Sequence, residues 1–132
     1  MSQENVELVR KSMNAFAERD VKAIRELNDQ ELELDWSASL GFEAHVYQGI
    51  DSVLRFYESY FQAFEWIVWE ELSFIDAGEY VVAPNMSRSR GRDGIEVFAR
   101  ATFVFTLRDR KITRVCLYQE QDEALKAVGL EE

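Results

Sequence analysis

The sequence is short of the features that mark several large classes of protein. It has one cysteine, so no disulfide can form within the chain, and this favours a reducing compartment. The first residues, MSQENVELVRK, lack the basic and apolar regions of a signal peptide. No apolar run approaches the ~18 residues of a membrane span. Together these absences predict a cytoplasmic protein that makes no membrane contact.

Residues that interrupt regular structure are also scarce. There are one proline and six glycines, with no low-complexity segment and no internal repeat, so we predict a single domain over residues 1–132. A chain of this length can bury most of its apolar surface. Hydrophobic residues make up 47% and aromatic residues 13%, which is too apolar for disorder. So many large side chains indicate a cavity or an interface to line, with plain core filling as the alternative.

Positive charge is sparse. The formal net charge is −10, which repels phosphate backbones, and no basic stripe is present, so we predict no nucleic-acid partner. The local exception is RSRGR, from Arg88 to Arg92. Such a short run is typical of a solvated hairpin end, with contact to an anionic ligand as the alternative.

Metal-ligating residues are few as well. One histidine and one cysteine cannot supply the usual zinc set, and a strand would place Glu70 and Glu71 on opposite faces. We therefore predict no metal site and no bound cofactor.

The spacing of apolar residues changes along the chain from a helical to a strand period. Intervals of three and four predict helices over 3–18, from Asp20 to about 27, and over 50–64, and a short last helix ended by Gly129. Alternation predicts strands at about 31–37, 66–75, 80–90, 95–107 and 111–120.

The predicted core order is α-α-β-α-β-β-β-β. Helices segregated against an antiparallel sheet define an α+β fold. A meander this long must twist and curl. A curved antiparallel sheet wrapped around helices would leave a conical pocket.

The stretch QELELDWSAS (30–39) raises the question of which residues face that pocket. One face of the strand carries Glu31, Glu33 and Asp35, and the other carries Leu32, Leu34 and Trp36. Burying unpaired carboxylates costs several kcal/mol, whereas burying each leucine gains about 1.5–3 kcal/mol. We therefore predict that Trp36 faces inward and Asp35 faces water. A bulge near residue 35 is the alternative, since it would re-aim Asp35 and make it a candidate base.

Two further kinds of side chain are candidates for a site. Imidazole is the side-chain group suited to proton transfer near neutral pH, so His45, the only histidine, could act as a general acid or base, or could be an ordinary exposed loop residue. If His45 is catalytic, Tyr57 or Tyr60 on the third helix is its expected partner. Either tyrosine could direct its hydroxyl at a ligand carbonyl, or could simply pack in the core.

The strand at 95–107 has two different faces. Its apolar face, which includes Phe103, should lie under the helices. The opposite face mixes Phe98 with Arg100 and threonines. A large exposed residue such as Phe98 would be costly on a lone monomer, so we predict a homodimer through the outer sheet face.

Several phrases, in this order and spacing, resemble the SnoaL-like branch of the nuclear transport factor 2-like (NTF2-like) superfamily. They are NAFAERDVKAI (14–24), LELDW (32–36), YQGIDSVLRFY (47–57), FIDAGEYVV (74–82), FTLRDRKITRV (105–115) and YQEQDEAL (118–125). The resemblance implies a helix-capped curved sheet around an apolar pocket, usually in a homodimer. It determines architecture better than chemistry, because members include isomerases, cyclases, dehydratases and non-catalytic binding modules.

The resemblance also allows a comparison of individual positions. The base, the second acid and the helical tyrosine of ketosteroid isomerases appear here as Trp36, Phe103 and Ser12, which implies that isomerisation by that mechanism is excluded. No inward Asp-Arg-Asp set like that of the epoxide hydrolases is evident. The branch often places a polar residue near the end of the last strand. Arg114 and Gln119 lie on opposite faces there, so at most one of them reaches the pocket.

Two hypotheses follow. The first is a SnoaL-like protein that binds a small hydrophobic molecule through Trp36, Tyr57, Tyr60, Phe103 and Gln119, with cofactor-free isomerase, cyclase or dehydratase activity as its catalytic form. The second is a non-catalytic dimerisation or interaction module whose pocket is filled by its own aromatic side chains.

Overall fold

A computed structural model describes residues 2–41 and 43–130 of the chain. Within these residues the chain forms four helices and seven strands. In chain order they are α1 (Ser2–Glu18), α2 (Val21–Leu27), β1 (Asn28–Asp35), β2 (Val46–Gln48), α3 (Ile50–Ala63), β3 (Phe64–Leu72), β4 (Ile75–Ala77), β5 (Tyr80–Gly91), β6 (Glu96–Arg108), β7 (Lys111–Tyr118) and α4 (Gln121–Ala127).

The strands form one curved, unclosed sheet with the order β2-β1-β7-β6-β5-β3, and β4 pairs separately with β5. The α+β prediction is confirmed, but the sheet is mixed rather than purely antiparallel. β1 and β7 run parallel, with Asn28 opposite Ile112 and Asp35 opposite Cys116. No hairpin joins these two distant strands, so local turn chemistry does not determine their relative direction.

Three element boundaries differ from the sequence prediction. The first strand was predicted to begin at about residue 31, but β1 begins at Asn28, because α2 passes into the strand without a loop. At this junction the side-chain Nδ2 of Asn28 donates to the carbonyl of Ile24 at 2.8 Å. The predicted strand 66–75 is two strands, β3 and β4. The three-residue strand β2 is too short to show a period and was not predicted.

The main core lies between the inner face of the sheet and the helices α1 and α3. As predicted, the odd-numbered positions of β6 point inward, and Phe103 and Phe105 are buried there. Val9 and Met13 of α1 and Val53 of α3 are buried in the same cluster. Each such side chain contributes about 1.5–3 kcal/mol by leaving water.

The outer face of the sheet is partly covered by α4. Val82 of β5, Val104 of β6 and Ala124 of α4 form a second buried cluster there. Beyond α4 the outer face is open, and Phe98 of β6 is 60% exposed. Among the described helices, none combines the length and the apolar character needed to cross a membrane.

The carboxyl end of α3 is held by two arginines. Arg19, just after α1, donates to the carbonyls of Phe61 at 2.9 Å, Phe64 at 2.6 Å and Glu65 at 2.9 Å. Arg92 donates to two carbonyls of the same turn. The last carbonyls of a helix have no partner within the helix, so these guanidinium groups satisfy them and complement the helix dipole.

Candidate functional site

A cavity of about 500 Å³ lies between the inner sheet face and the helices α1 and α3. Elements distant in the chain each contribute aromatic side chains to its wall. The aromatic lining includes Phe16, Trp36, Phe56, Tyr57, Trp69 and Phe103. The volume is in the usual range of ligand pockets, and the mainly apolar wall is typical of them.

Trp36 follows the last residue of β1 and points into this cavity, as predicted. Its ring centroid lies 5.7 Å from that of Phe56 and 5.7 Å from that of Phe103. The backbone N–H of Trp36 donates to the carbonyl of His45 at 2.9 Å, which extends the register beyond the strand. The inward direction follows from β-alternation, because the neighbouring Leu34 is buried on the same face.

Glu33 and Asp35 of β1 lie on the opposite face of the sheet, where they are paired with Arg114. Its Nε donates to Glu33 at 2.9 Å, and its terminal nitrogen donates to Asp35 at 3.3 Å. The structure therefore places both acids outside the cavity, but in an ion pair rather than simply in water. The pairing of β1 with β7 has a register shift, but this shift lies between Asn28 and Glu33. It is therefore not the bulge near residue 35 that would have turned Asp35 inward.

Both carboxyl groups ionise more readily in the folded protein. Hydrogen bonds from Arg114 and Gln48 lower the pKa of Glu33 below its ordinary value. Burial opposes ionisation of Asp35, but hydrogen bonds from Ser37 and the charge of Arg114 outweigh it, so the pKa of Asp35 is also lowered. A carboxylate held ionised in this way is a weak base.

His45 and Tyr57, the other two catalytic candidates, are not brought together. His45 is exposed, its ring packs 5.1 Å from that of Tyr47, and it is not among the residues that line the cavity. Tyr57 lines the cavity and packs edge-on against Phe16 at 4.8 Å. Its hydroxyl has no hydrogen-bond partner within residues 2–41 and 43–130. Burial raises the pKa of Tyr57, so the hydroxyl stays protonated and can donate to a ligand.

A row of polar side chains on β5 was not predicted from the sequence. Asn85, Ser87 and Ser89 occupy alternate positions and all line the cavity. Tyr60, across the cavity on α3, shares a hydrogen bond with Ser89, while its burial raises the pKa of the phenol. The sequence PNMSRS does contain a pattern that could have predicted this row. Its polar residues lie at alternate positions and have the same parity as the inward-facing Val81 on the same strand.

The end of the last strand resolves the alternative between Arg114 and Gln119. Gln119 lines the cavity, and its Nε2 donates to the carbonyl of Ala38 at 2.8 Å. The charged side chain that borders the cavity is Arg100, which is largely exposed at the rim and pairs with Glu71 at 3.3 Å. No aspartate or glutamate is among the lining residues of the described ranges.

The site can therefore orient an apolar molecule and donate hydrogen bonds from neutral groups. Phenol, hydroxyl and amide groups can polarise a carbonyl, but they do not accept a proton readily at neutral pH. In the part of the chain that the structure describes, no three His, Cys, Asp or Glu side chains lie close enough together to hold a metal ion.

Comparisons with known proteins agree with this architecture. A family model described as a SnoaL-like domain matches residues 9–115, while no curated protein matches the sequence. An NTF2-like protein from Burkholderia xenovorans LB400 has a similar structure, with 21% identity over 97% of each chain and a TM-score of 0.78. A candidate polyketide cyclase from Xanthomonas campestris pv. campestris shares 18% identity over 97% of this chain and 98% of its own, with a TM-score of 0.78.

A third similar structure is that of TerC co-crystallised with polyporic acid. It shares 18% identity, covers 95% of this chain and 98% of its own, and has a TM-score of 0.74. At these identities the three structures establish only the shared fold. The chemistry of the cavity must be inferred from the residues of this chain.

Proposed function

The chain belongs to the SnoaL-like domain family, and from that premise we propose that it binds a small, mainly hydrophobic molecule in the cavity. The observation that carries the proposal is an open volume of about 500 Å³ bordered by aromatic rings and by no carboxylate among the described lining residues. Self-filling side chains would have left no such space, so the cavity supports ligand binding over a filled core. The co-crystal of TerC with polyporic acid supports it as well.

The catalytic form of this proposal is cofactor-free isomerisation, cyclisation or dehydration. Tyr57 is the group best placed to act, because it lines the cavity and its protonated hydroxyl has no protein partner in the described ranges. Donation from this hydroxyl to a ligand carbonyl would stabilise negative charge that develops on the oxygen. We place this function in the cytoplasm, an inference supported by the single cysteine, Cys116, which is free and buried.

The direct test of binding uses two tryptophans of the same chain. Displacement of the dye Nile red and thermal shift would be measured with a panel of neutral polycyclic compounds. Trp36→Ala removes a ring that lines the cavity and should weaken binding by about tenfold or more, because a buried aromatic contact of ~1.4 kcal/mol or more is lost. Trp66→Ala is the matched control, since Trp66 is not among the lining residues and stacks under Arg88 at 5.0 Å.

Substitution of Tyr57 separates hydrogen bonding from packing. Tyr57→Phe should leave thermal stability nearly unchanged, because the hydroxyl has no protein partner in the described residues. It should weaken the binding of ligands that carry a carbonyl group and leave the binding of ligands without one unchanged. If no compound stabilises the wild type, or if both tryptophan variants behave alike while circular dichroism shows them folded, the binding proposal is wrong.

A second candidate function is self-association, and the open part of the outer face favours it. Phe98, which also borders the cavity, is 60% exposed there, and Val68 on β3, in the same cross-strand row, is 40% exposed. Positive and negative side chains surround them, and Arg88 forms ion pairs with Glu70 and with Glu96. A surface with an apolar centre and a mixed-charge border is self-complementary, so a second copy of this chain is the partner that we propose.

A further inference from the structure

We infer that the ligand carries uncharged oxygen substituents along one edge and presents that edge to β5. The inference rests on the proposed binding function and names the class of molecule that the cavity accepts. It starts from Asn85, Ser87 and Ser89, which face the cavity from alternate positions of one strand. Successive members of such a row are roughly 7 Å apart, so together they span a long edge of a polycyclic molecule.

The row has unused hydrogen-bonding capacity. Asn85 is only 4% exposed, and its Nδ2 donates to the carbonyl of Ala83 at 3.0 Å, which leaves its Oδ1 without a donor among the described residues. The hydroxyl of Ser87 makes one long contact, to the carbonyl of Ala99 at 3.4 Å. An apolar occupant would take water away from these polar groups without replacing its hydrogen bonds, so an occupant that supplies donors and acceptors along this wall gains over a hydrocarbon.

The rest of the cavity wall has the opposite character. Trp69 and Phe103 meet edge to face at 5.9 Å, and Trp36 packs beside Phe103. These rings offer a mainly apolar surface. The indole N–H of Trp69 is already satisfied by the carbonyl of Met13 at 3.1 Å, so the indole N–H of Trp36 is the donor that these three rings leave for a ligand. A ligand that suits both walls is therefore amphipathic across its width, with a flat apolar body and one polar edge.

The charges around the cavity favour a neutral ligand. Arg100 is the lining residue that carries charge, and its side chain is 67% exposed and already paired with Glu71. A carboxylate placed against Ser87 and Ser89 would lose its hydration without gaining a cation, and the net charge of −10 would repel it further. The oxygens of the ligand edge are therefore hydroxyl or carbonyl groups rather than acids.

Three compounds with the same tricyclic body test this inference. They are anthracene, 1,8-dihydroxyanthraquinone, which has three neutral oxygens along one edge, and 4,5-dihydroxyanthraquinone-2-carboxylate, which adds one negative charge. We expect the neutral quinone to bind about tenfold more tightly than either of the others, a difference of ~1.4 kcal/mol. Ser87→Ala and Asn85→Leu should each lower the preference for the quinone over anthracene severalfold, while Ser59→Ala on the outside of α3 should leave it unchanged.

The outcomes distinguish this inference from the binding proposal. If none of the three compounds binds at a site sensitive to Trp36→Ala, the binding proposal fails, and the inference fails with it. If all bind there but anthracene equals the quinone, or neither β5 variant changes the preference, the inference is wrong while binding stands. If the carboxylate binds as tightly as the neutral quinone, the requirement for an uncharged ligand is overturned.

Discussion

At the scale of single residues, Asp35 and Trp36 are neighbours in the chain that take opposite sides of the sheet. Trp36 lines the cavity, while Asp35 lies with Glu33 around the guanidinium of Arg114. This outer set joins β1 to β7, two strands that are 79 or more residues apart at these contacts. The acids thus stabilise a long-range strand pairing instead of serving the cavity.

The ion pairs of Arg114 with Glu33 and Asp35 predict how the free energy of unfolding depends on pH. The pKa values of Glu33 and Asp35 are lowered in the folded protein, so their contribution is fully present above the ordinary values of 4.5 and 3.8. It is lost as pH falls through the lower folded-state values. Arg114→Leu should reduce the free energy of unfolding at pH 7 by about 1 kcal/mol, since the pairs are partly exposed and screened.

Urea unfolding of both proteins between pH 7 and pH 3 measures this effect. The variant should lose less stability than the wild type across the acid range, because its carboxylates no longer gain from the pair. Arg108→Leu, at an exposed position at the end of β6, is the control and should match the wild type. Parallel curves for wild type and Arg114→Leu would contradict the role assigned to this ion pair.

At the scale of elements, α3 places Tyr57 and Tyr60 in the cavity. The residue before its first turn is Gly49, which has a φ of 85° and provides no side-chain cap. Its carboxyl end is satisfied by Arg19 instead. A helix secured at the end nearer Tyr60 keeps the tyrosines of its later turns in a defined position over the sheet.

Removal of the Arg19 contacts should destabilise the fold. Arg19→Met retains the length of the side chain and the left-handed backbone (φ 61°) but removes three donated hydrogen bonds. We expect the free energy of unfolding to fall by about 2 kcal/mol, since hydrogen bonds from charged donors rank among the stronger ones and two of these three are partly buried. The measurement is equilibrium urea unfolding, followed by circular dichroism.

The matched control replaces an arginine whose pairing is exposed. Arg25 contacts Asp51 at 3.0 Å with both side chains more than half exposed, so Arg25→Met should change stability by less than about 0.5 kcal/mol. Equal losses for the two variants would mean that the carbonyl contacts of Arg19 do not secure α3.

At the scale of the whole molecule, the sheet has two unlike surfaces. The inner face holds the main core and the cavity, and the outer face is divided between a part under α4 and an open part around Phe98. The covering helix leaves the open half as the surface available to a second copy. The proposed dimer therefore uses only the open half of the outer face, whereas the sequence-based prediction did not distinguish the two halves.

The proposed dimer predicts a mass in solution of twice the 15.4 kDa chain at micromolar concentration, measured by light scattering after size exclusion. Phe98→Glu should shift the protein toward monomer, because two like charges would meet in an apolar centre. Val21→Glu, on α2 and 42% exposed, introduces the same charge elsewhere and should leave the dimer intact. A monomeric wild type would reject the proposal.

The sequence by itself determined the helices, the long strands and the direction of Trp36. Side-chain period and burial energy decide which face of a helix or strand turns inward, and both are properties of adjacent residues. The same periods, with the phrases shared with SnoaL-like proteins, led to the α+β fold and to an apolar cavity. They also located Tyr57, Tyr60 and Phe103 on the inner side.

Only the tertiary structure decided how distant segments meet. The parallel pairing of β1 with β7, the cover that α4 places over the outer face, and the contacts of Arg19 with α3 join residues far apart in the chain. Gln119 faces the cavity because β7 lies between β1 and β6, a neighbour relation that no local period encodes. The polar row of β5 became a candidate ligand contact for the same reason, since alternation assigns a face but the packing of helices opposite decides whether that face is core or cavity.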